Sequence, residues 1–159
     1  MYEFLQETVA DNMTRHVKCV APETTVGDLH RLFAVDEFDA YPVLRDDVVV
    51  GLVSKFDAMK PFAFTPDCIL PHYDDLVGTT VDEIMSRNVV FVDVETKLQR
   101  VLQMMVTQRL KSVPVLDKAG CLVGIIARSD VLRALDRCSE QRDRQQPGAP
   151  EPLQCLYIA

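Results

Sequence analysis

The feature that most constrains this chain is that it is written twice. Met13-Thr14-Arg15 returns as Met85-Ser86-Arg87, a shift of 72 residues. The same shift pairs Val17 with Val89, Glu23-Thr24 with Glu95-Thr96, and Pro42-Val43-Leu44 with Pro114-Val115-Leu116. One residue is added in a turn, where Arg45-Asp46-Asp47 becomes Asp117-Lys118-Ala119-Gly120, and a shift of 73 then pairs Gly51 with Gly124 and Asp57 with Asp130. A register held across so many positions with one insertion marks an internal repeat, and repeats bury their apolar faces against each other.

Each copy has the same grammar. Val17–Val20 and Val89–Val92 are short β-branched runs that predict strands. Thr25-x-x-Asp28 and Thr96-x-x-Gln99 have the spacing of helix-opening capping boxes. Behind them Val26, Leu29, Leu32 and Phe33, and then Leu98, Val101, Leu102 and Met105, recur at the 3.6-residue period. Tyr41–Leu44 with Val48–Val53, and Val113–Leu116 with Leu122–Ile126, predict hairpins, followed by helices opening near Lys55 and Arg128. The unit is β-α-β-β-α and the class is α+β. Its limits are a first repeat with its lead-in over 1–62, a Pro- and aromatic-rich linker over 63–80, a second repeat over 81–138, and a polar tail over 139–159 expected to be disordered.

Several functions are disfavoured. The net charge of −7 provides no overall basic footprint for nucleic acid or an anionic membrane. Strand-sized runs such as Val48–Val53 are too short to span a bilayer. The N-terminus lacks the basic start and apolar run of an export signal, so a cytoplasmic protein is expected. Cys19, Cys68, Cys121, Cys138 and Cys155 form no C-x-x-C, which suits free thiols; Cys19 and Cys121 read as small strand hydrophobes. His16, His30 and His72 share no metal-ligand spacing, and no catalytic order or glycine-rich phosphate loop is visible, so no enzyme, metal or catalytic cofactor is expected.

The Met-Thr/Ser opening, the Glu-Thr before the helix, the x-Pro-Val-Leu strand and the closing Gly-h-h-Ser/Ala-x-x-Asp occur in that order twice between Val9 and Arg137. This set resembles a tandem pair of CBS domains, the Bateman module. The resemblance implies two β-α-β-β-α repeats packed with pseudo-two-fold symmetry. It implies a stand-alone regulatory or sensor module binding an adenosyl ligand (AMP, ADP, ATP or S-adenosylmethionine) between the repeats. It also implies a homodimer, and a protein partner that reads the bound state.

Carried over residue by residue, Asp130 and Asp57 are the ribose acceptors, with Ser54 beside the second. An ionised carboxylate can only accept hydrogen bonds, which suits a sugar diol. Ser54-x-x-Asp57 is equally a plain capping box, whereas Asp130 faces Ala127, which has no hydroxyl to cap with. Arg109, Lys111, Arg128 and Ser129 are the phosphate candidates, expected beside Asp130. Asp36, Glu37 and Asp39 are expected beside Asp57, where they would repel a phosphate. The adenine slot is expected from Val17, Cys19 and Val20 on one side and Val89, Phe91 and Val92 on the other. The alternative is a ligand-free dimerisation or protein-interaction scaffold. The linker, with Phe62, Phe64 and Tyr73, is expected to pack back on the body. The last residues, Leu153–Ala159, are apolar again, so docking on a partner is an alternative to disorder there.

Overall fold

Two hairpins carry the molecule. In the computed structural model, which describes residues 4–63 and 72–145, β1 (Ala40–Arg45) pairs antiparallel with β2 (Val48–Ser54), and β4 (Ser112–Leu116) with β5 (Leu122–Ala127). Asp46 and Asp47 both take left-handed φ, 50° and 61°, as the two-residue loop between right-twisted strands requires. The longer second turn instead has Gly120 at φ 83°, and the Asp117 carboxylate accepts from Ala119 N and Cys121 N, both at 2.9 Å. The extra residue is thereby absorbed outside the sheet.

The remaining elements repeat around the hairpins. The first half contains α1 (Val9–Asn12), α2 (Val26–Val35) and α3 (Lys55–Met59), then a 3-10 turn at Lys60–Phe62. After α4 (Tyr73–Gly78), the second half contains α5 (Val81–Ile84), β3 (Val92–Asp93), α6 (Leu98–Thr107) and α7 (Arg128–Gln145). Thr25 caps α2 as expected, accepting from Asp28 N at 3.2 Å. The box predicted at Thr96 does not form. Lys97 is the N-cap of α6, and the Thr96 carbonyl instead accepts the N–H of Val9.

The strand expected at Val17–Val20 contracts to one bridge, Val20 with Val43, and only Val92–Asp93 of its counterpart region forms a strand. Cys19 and Cys121 are exposed and stand outside the named strands. The tail expected from 139 begins as helix, because α7 continues through Gln145. Glu, Gln and Arg, which dominate the sequence over 139–145, are good helix formers. Residues 146–159 lie outside the described residues, as do Phe64 and Cys68 of the linker. Within the described linker, Phe62 stacks on His30 at 5.5 Å between ring centroids and meets Tyr73 at 6.2 Å.

The lead-in of each repeat packs on the other repeat. Val9 N–H donates to Thr96 O (2.9 Å), Ala10 N–H to Val94 O (2.9 Å), and Leu98 N–H to Glu7 O (3.0 Å). The copies of these bonds run the opposite way: Val81 N–H to Thr24 O (2.8 Å), Asp82 N–H to Pro22 O (2.9 Å), Val26 N–H to Thr79 O (2.8 Å). Thr14 pairs with Ile125 of β5, and Ser86 with Leu52 of β2. The apolar side chains follow. Phe4, Val9 and Met13 are buried with Leu98, Val101, Val113 and Ile126, whereas Val81, Ile84 and Met85 are buried with Val26, Leu29, Tyr41 and Val53.

Three carboxylates brace this arrangement. Asp11 accepts from the Thr8 hydroxyl and N–H, Glu83 from the Thr80 N–H and hydroxyl, and Asp36 from Lys18 (2.6 Å) and the Tyr41 hydroxyl (2.8 Å). These bonds favour the ionised forms and hold all three below the ordinary values of 3.8 for Asp and 4.5 for Glu. A lowered folded-state value adds stability above the unfolded one, and that stability is lost as pH falls through the folded one. The urea midpoint should therefore fall on acidification below 4.5, the ordinary Glu value, and Asp11→Asn with Glu83→Gln should flatten the fall. A midpoint that rises on acidification would contradict this.

Candidate functional site

Two cavities lie where the repeats meet, of about 320 Å³ and 360 Å³, within the size range of small-ligand pockets. Asp130 lines the first and Asp57 the second, while Ala40 and Ser112, the opening residues of β1 and β4, line both. Each cavity is a composite. The Asp130 cavity takes Ile125 and Ala127 from β5, Thr14, His16 and Val17 from the first lead-in, and Glu37, Phe38 and Asp39 from the loop before β1. The Asp57 cavity takes the equivalent positions: Leu52 and Ser54, then Ser86, Asn88 and Val89, then Arg109, Leu110 and Lys111.

The crossing lead-ins produce this exchange, and it reverses the expected electrostatics. Arg109 and Lys111, expected beside Asp130, line the Asp57 cavity. Glu37 and Asp39, expected beside Asp57, line the Asp130 cavity. Asp36 points elsewhere, into its bonds with Lys18 and Tyr41. Its carboxylate and the burial of the ring keep the Tyr41 hydroxyl protonated well above its ordinary range, burial being the larger influence. Arg128 lines neither cavity. Its guanidinium donates to Leu110 O (2.8 Å) and Arg109 O (3.0 Å), bracing the loop in which Arg109 takes a left-handed φ of 56°. Ser129 does line the Asp130 cavity.

The expected adenine slot divides in the same way. Val17 stands with Asp130 and Val89 with Asp57. Val20 and Val92 are buried in the cores of opposite repeats, and Phe91 lines a separate shallow surface with Arg100 and Met104. Core packing took the two valines because they follow the lead-ins into the sheets.

Both aspartates are buried, and each opens the closing helix of its repeat. Asp57 Oδ2 accepts from Ser54 N (2.9 Å) and the Ser54 hydroxyl (2.6 Å), and Oδ1 lies 2.5 Å from Lys60 Nζ. Asp130 Oδ2 accepts from Ala127 N (2.8 Å), and Oδ1 lies 2.5 Å from Arg133. A carboxylate offers about four lone-pair sites, so Asp130 keeps two open and Asp57 one. Ser54 Oγ accepts from Asp57 N at 3.2 Å and keeps one lone pair of its own. Each cavity can therefore accept from two vicinal hydroxyls, through Asp130 alone in one and through Asp57 with Ser54 in the other.

Sequence reasoning missed Lys60 and Arg133. The i, i+3 spacing that pairs them with Asp57 and Asp130 occurs in both copies and could have revealed them. It also missed His16 and Asn88, which face the cavities from equivalent positions. Among the described residues no group of three or more His, Cys, Asp or Glu is placed to hold a metal ion, and no helix is long and apolar enough to cross a membrane.

The CBS domain profile matches residues 7–63 and 81–137. The protein MJ1225 of Methanocaldococcus jannaschii is 27% identical over 132 residues, and its crystal structure superposes with a TM-score of 0.74, covering 82% of this chain and 48% of that one. The chain thus spans about half the length of that relative. The crystal structure of CBSX2 in complex with AMP, a protein of Arabidopsis thaliana, superposes with a TM-score of 0.69 at 26% identity, covering 83% of this chain and 98% of that one. The chloroplastic CBSX1 of the same plant is 27% identical over 159 residues, 86% of this chain and 67% of that protein.

Proposed function

This chain belongs to the CBS domain family, and from that premise we propose that it is a regulatory module that binds adenosyl compounds in the two cavities between its repeats. The observation that carries the proposal is the composite lining of each cavity. A ligand beside Asp130 touches β5 and also the Glu37–Asp39 loop, so its binding energy depends on how the two halves sit. A ligand shifts an equilibrium between poses only by binding them unequally, and a site shared by both halves has that property. The open lone pairs on Asp130, Asp57 and Ser54 suit a ribose diol, and the crystallised chain of CBSX2, 98% of which this chain covers, is solved with AMP.

Two further parts of this reading concern setting. Val106 and Leu132 expose apolar side chains along a groove between α6 and α7, which supports assembly of two copies into a homodimer. Cys19, Cys121 and Cys138 are free thiols, which suits a reducing compartment such as the cytoplasm.

Calorimetric titration with adenosine and AMP tests the function. Asp130→Ala should weaken the Asp130 cavity's ligand about 100-fold, the loss of roughly 2.7 kcal/mol of charge-assisted hydrogen bonding. Stability should fall by only about 1 kcal/mol, because the Arg133 side chain is 67% exposed and returns to water. Absence of heat or thermal shift with every adenosine compound would leave the scaffold as the reading to pursue.

A further inference from the structure

The two cavities are built from equivalent positions, yet at two of them the charge is inverted. Glu37 and Asp39 occupy in the first copy the places of Arg109 and Lys111 in the second, at the same shift of 72. Because each loop faces the other repeat's aspartate, the inversion gives the cavities opposite character. The Asp57 cavity is lined by two cations, Arg109 and Lys111, and one acid, and that acid already has Lys60 at 2.5 Å. The Asp130 cavity is lined by three acids, Glu37, Asp39 and Asp130. Its two cations are both taken: Lys18 Nζ lies 2.6 Å from Asp36, and Arg133 2.5 Å from Asp130.

We infer that the cavities select different adenosyl compounds: the Asp57 cavity one bearing phosphate, the Asp130 cavity one without. This rests on the adenosyl reading above. A phosphate carries up to two negative charges and gains from Arg and Lys most where they have no other acid to serve. No ion pair among the described residues includes Arg109 or Lys111. The Arg128 guanidinium fixes the backbone that presents them, so their loop is braced in the absence of ligand. On the other side a phosphate would approach Glu37 and Asp39; Lys55 Nζ lies 4.0 Å from the Asp39 carboxylate but is not part of the lining, and no unpaired Lys or Arg lines the cavity to offset them. An uncharged or cationic 5′ substituent has no such penalty.

The test is calorimetric titration of AMP and adenosine into the full chain and two charge-exchanged variants, at one fixed ionic strength. Wild type should bind AMP at one site per chain. R109E/K111D should lower the preference for AMP over adenosine by ~30-fold or more. E37R/D39K should raise AMP stoichiometry from one to two per chain. The two variants alter different loops, so either reads the idea if the other does not fold. An unchanged AMP preference in R109E/K111D, or an unchanged stoichiometry in E37R/D39K, overturns the charge assignment and leaves the adenosyl reading intact. Failure of wild type to bind either compound overturns both.

Discussion

Val9→Asp is expected to unfold the second repeat, although Val9 lies in the lead-in of the first. Val9 is fully buried beside Leu98, Val101 and Ile126, none of which belongs to its own copy. A carboxylate there would have no cationic partner in a cluster made of apolar side chains, and burying an unpaired charge is among the few changes that cost more than about 4 kcal/mol. That is comparable to the whole stability of a small domain. Val9→Ala should cost about 1–2 kcal/mol through the lost methyls alone, which separates cavity from charge. Hydrogen exchange should show protection lost first in β4 and β5 (Ser112–Leu116 and Leu122–Ala127). Protection lost first in β1 and β2 would mean that the lead-ins do not cross.

Gly124→Val should have the next largest effect. A Cβ at Gly124 would strike the Met13 sulfur and come within 3.1 Å of both Met13 Cγ and the Thr14 carbonyl oxygen. The methionine tip can move, but Thr14 is fixed by its two bonds to Ile125, at 2.9 and 3.0 Å, so the backbone contact stays. Overpacking of this kind costs about 3 kcal/mol for Val and nearer 1 for Ala. Met13→Ala should relieve part of it, giving a coupling of about 1 kcal/mol or more in a double-mutant cycle followed by urea denaturation. Strict additivity would mean that Met13 is not what Gly124 makes room for. Gly51 should behave alike against Met85, since its Cβ would meet that sulfur and lie 3.2 Å from the Ser86 carbonyl oxygen.

The sequence revealed what depends on neighbours in the chain. The hairpins, α2, α6 and the helix openings at Ser54 and Ala127 follow from period, turn residues and caps, all of which act over a few residues. α1 and α5 were invisible because four residues are too few to show a helical period. The assignment of Lys111 to the wrong aspartate had a different cause. Sequence distance places it near Asp130, and only the crossing of the lead-ins places it with Asp57. The same crossing separated Val17 from Val89, although the repeat itself had paired them correctly as equivalent positions.

The crossed lead-ins have a consequence for how such a chain can arise. A polypeptide holding one unit would carry an arm with no place in its own body and a core lacking its last layer. Two such polypeptides could complete each other by trading arms, so the present chain amounts to a domain-swapped pair joined end to end. The joint holds the pair at one-to-one stoichiometry and at an effective concentration that separate molecules would rarely reach. It also frees the two bodies from being identical, and the inversion of Glu37 and Asp39 into Arg109 and Lys111 is a divergence that a symmetric pair of one gene product could never display.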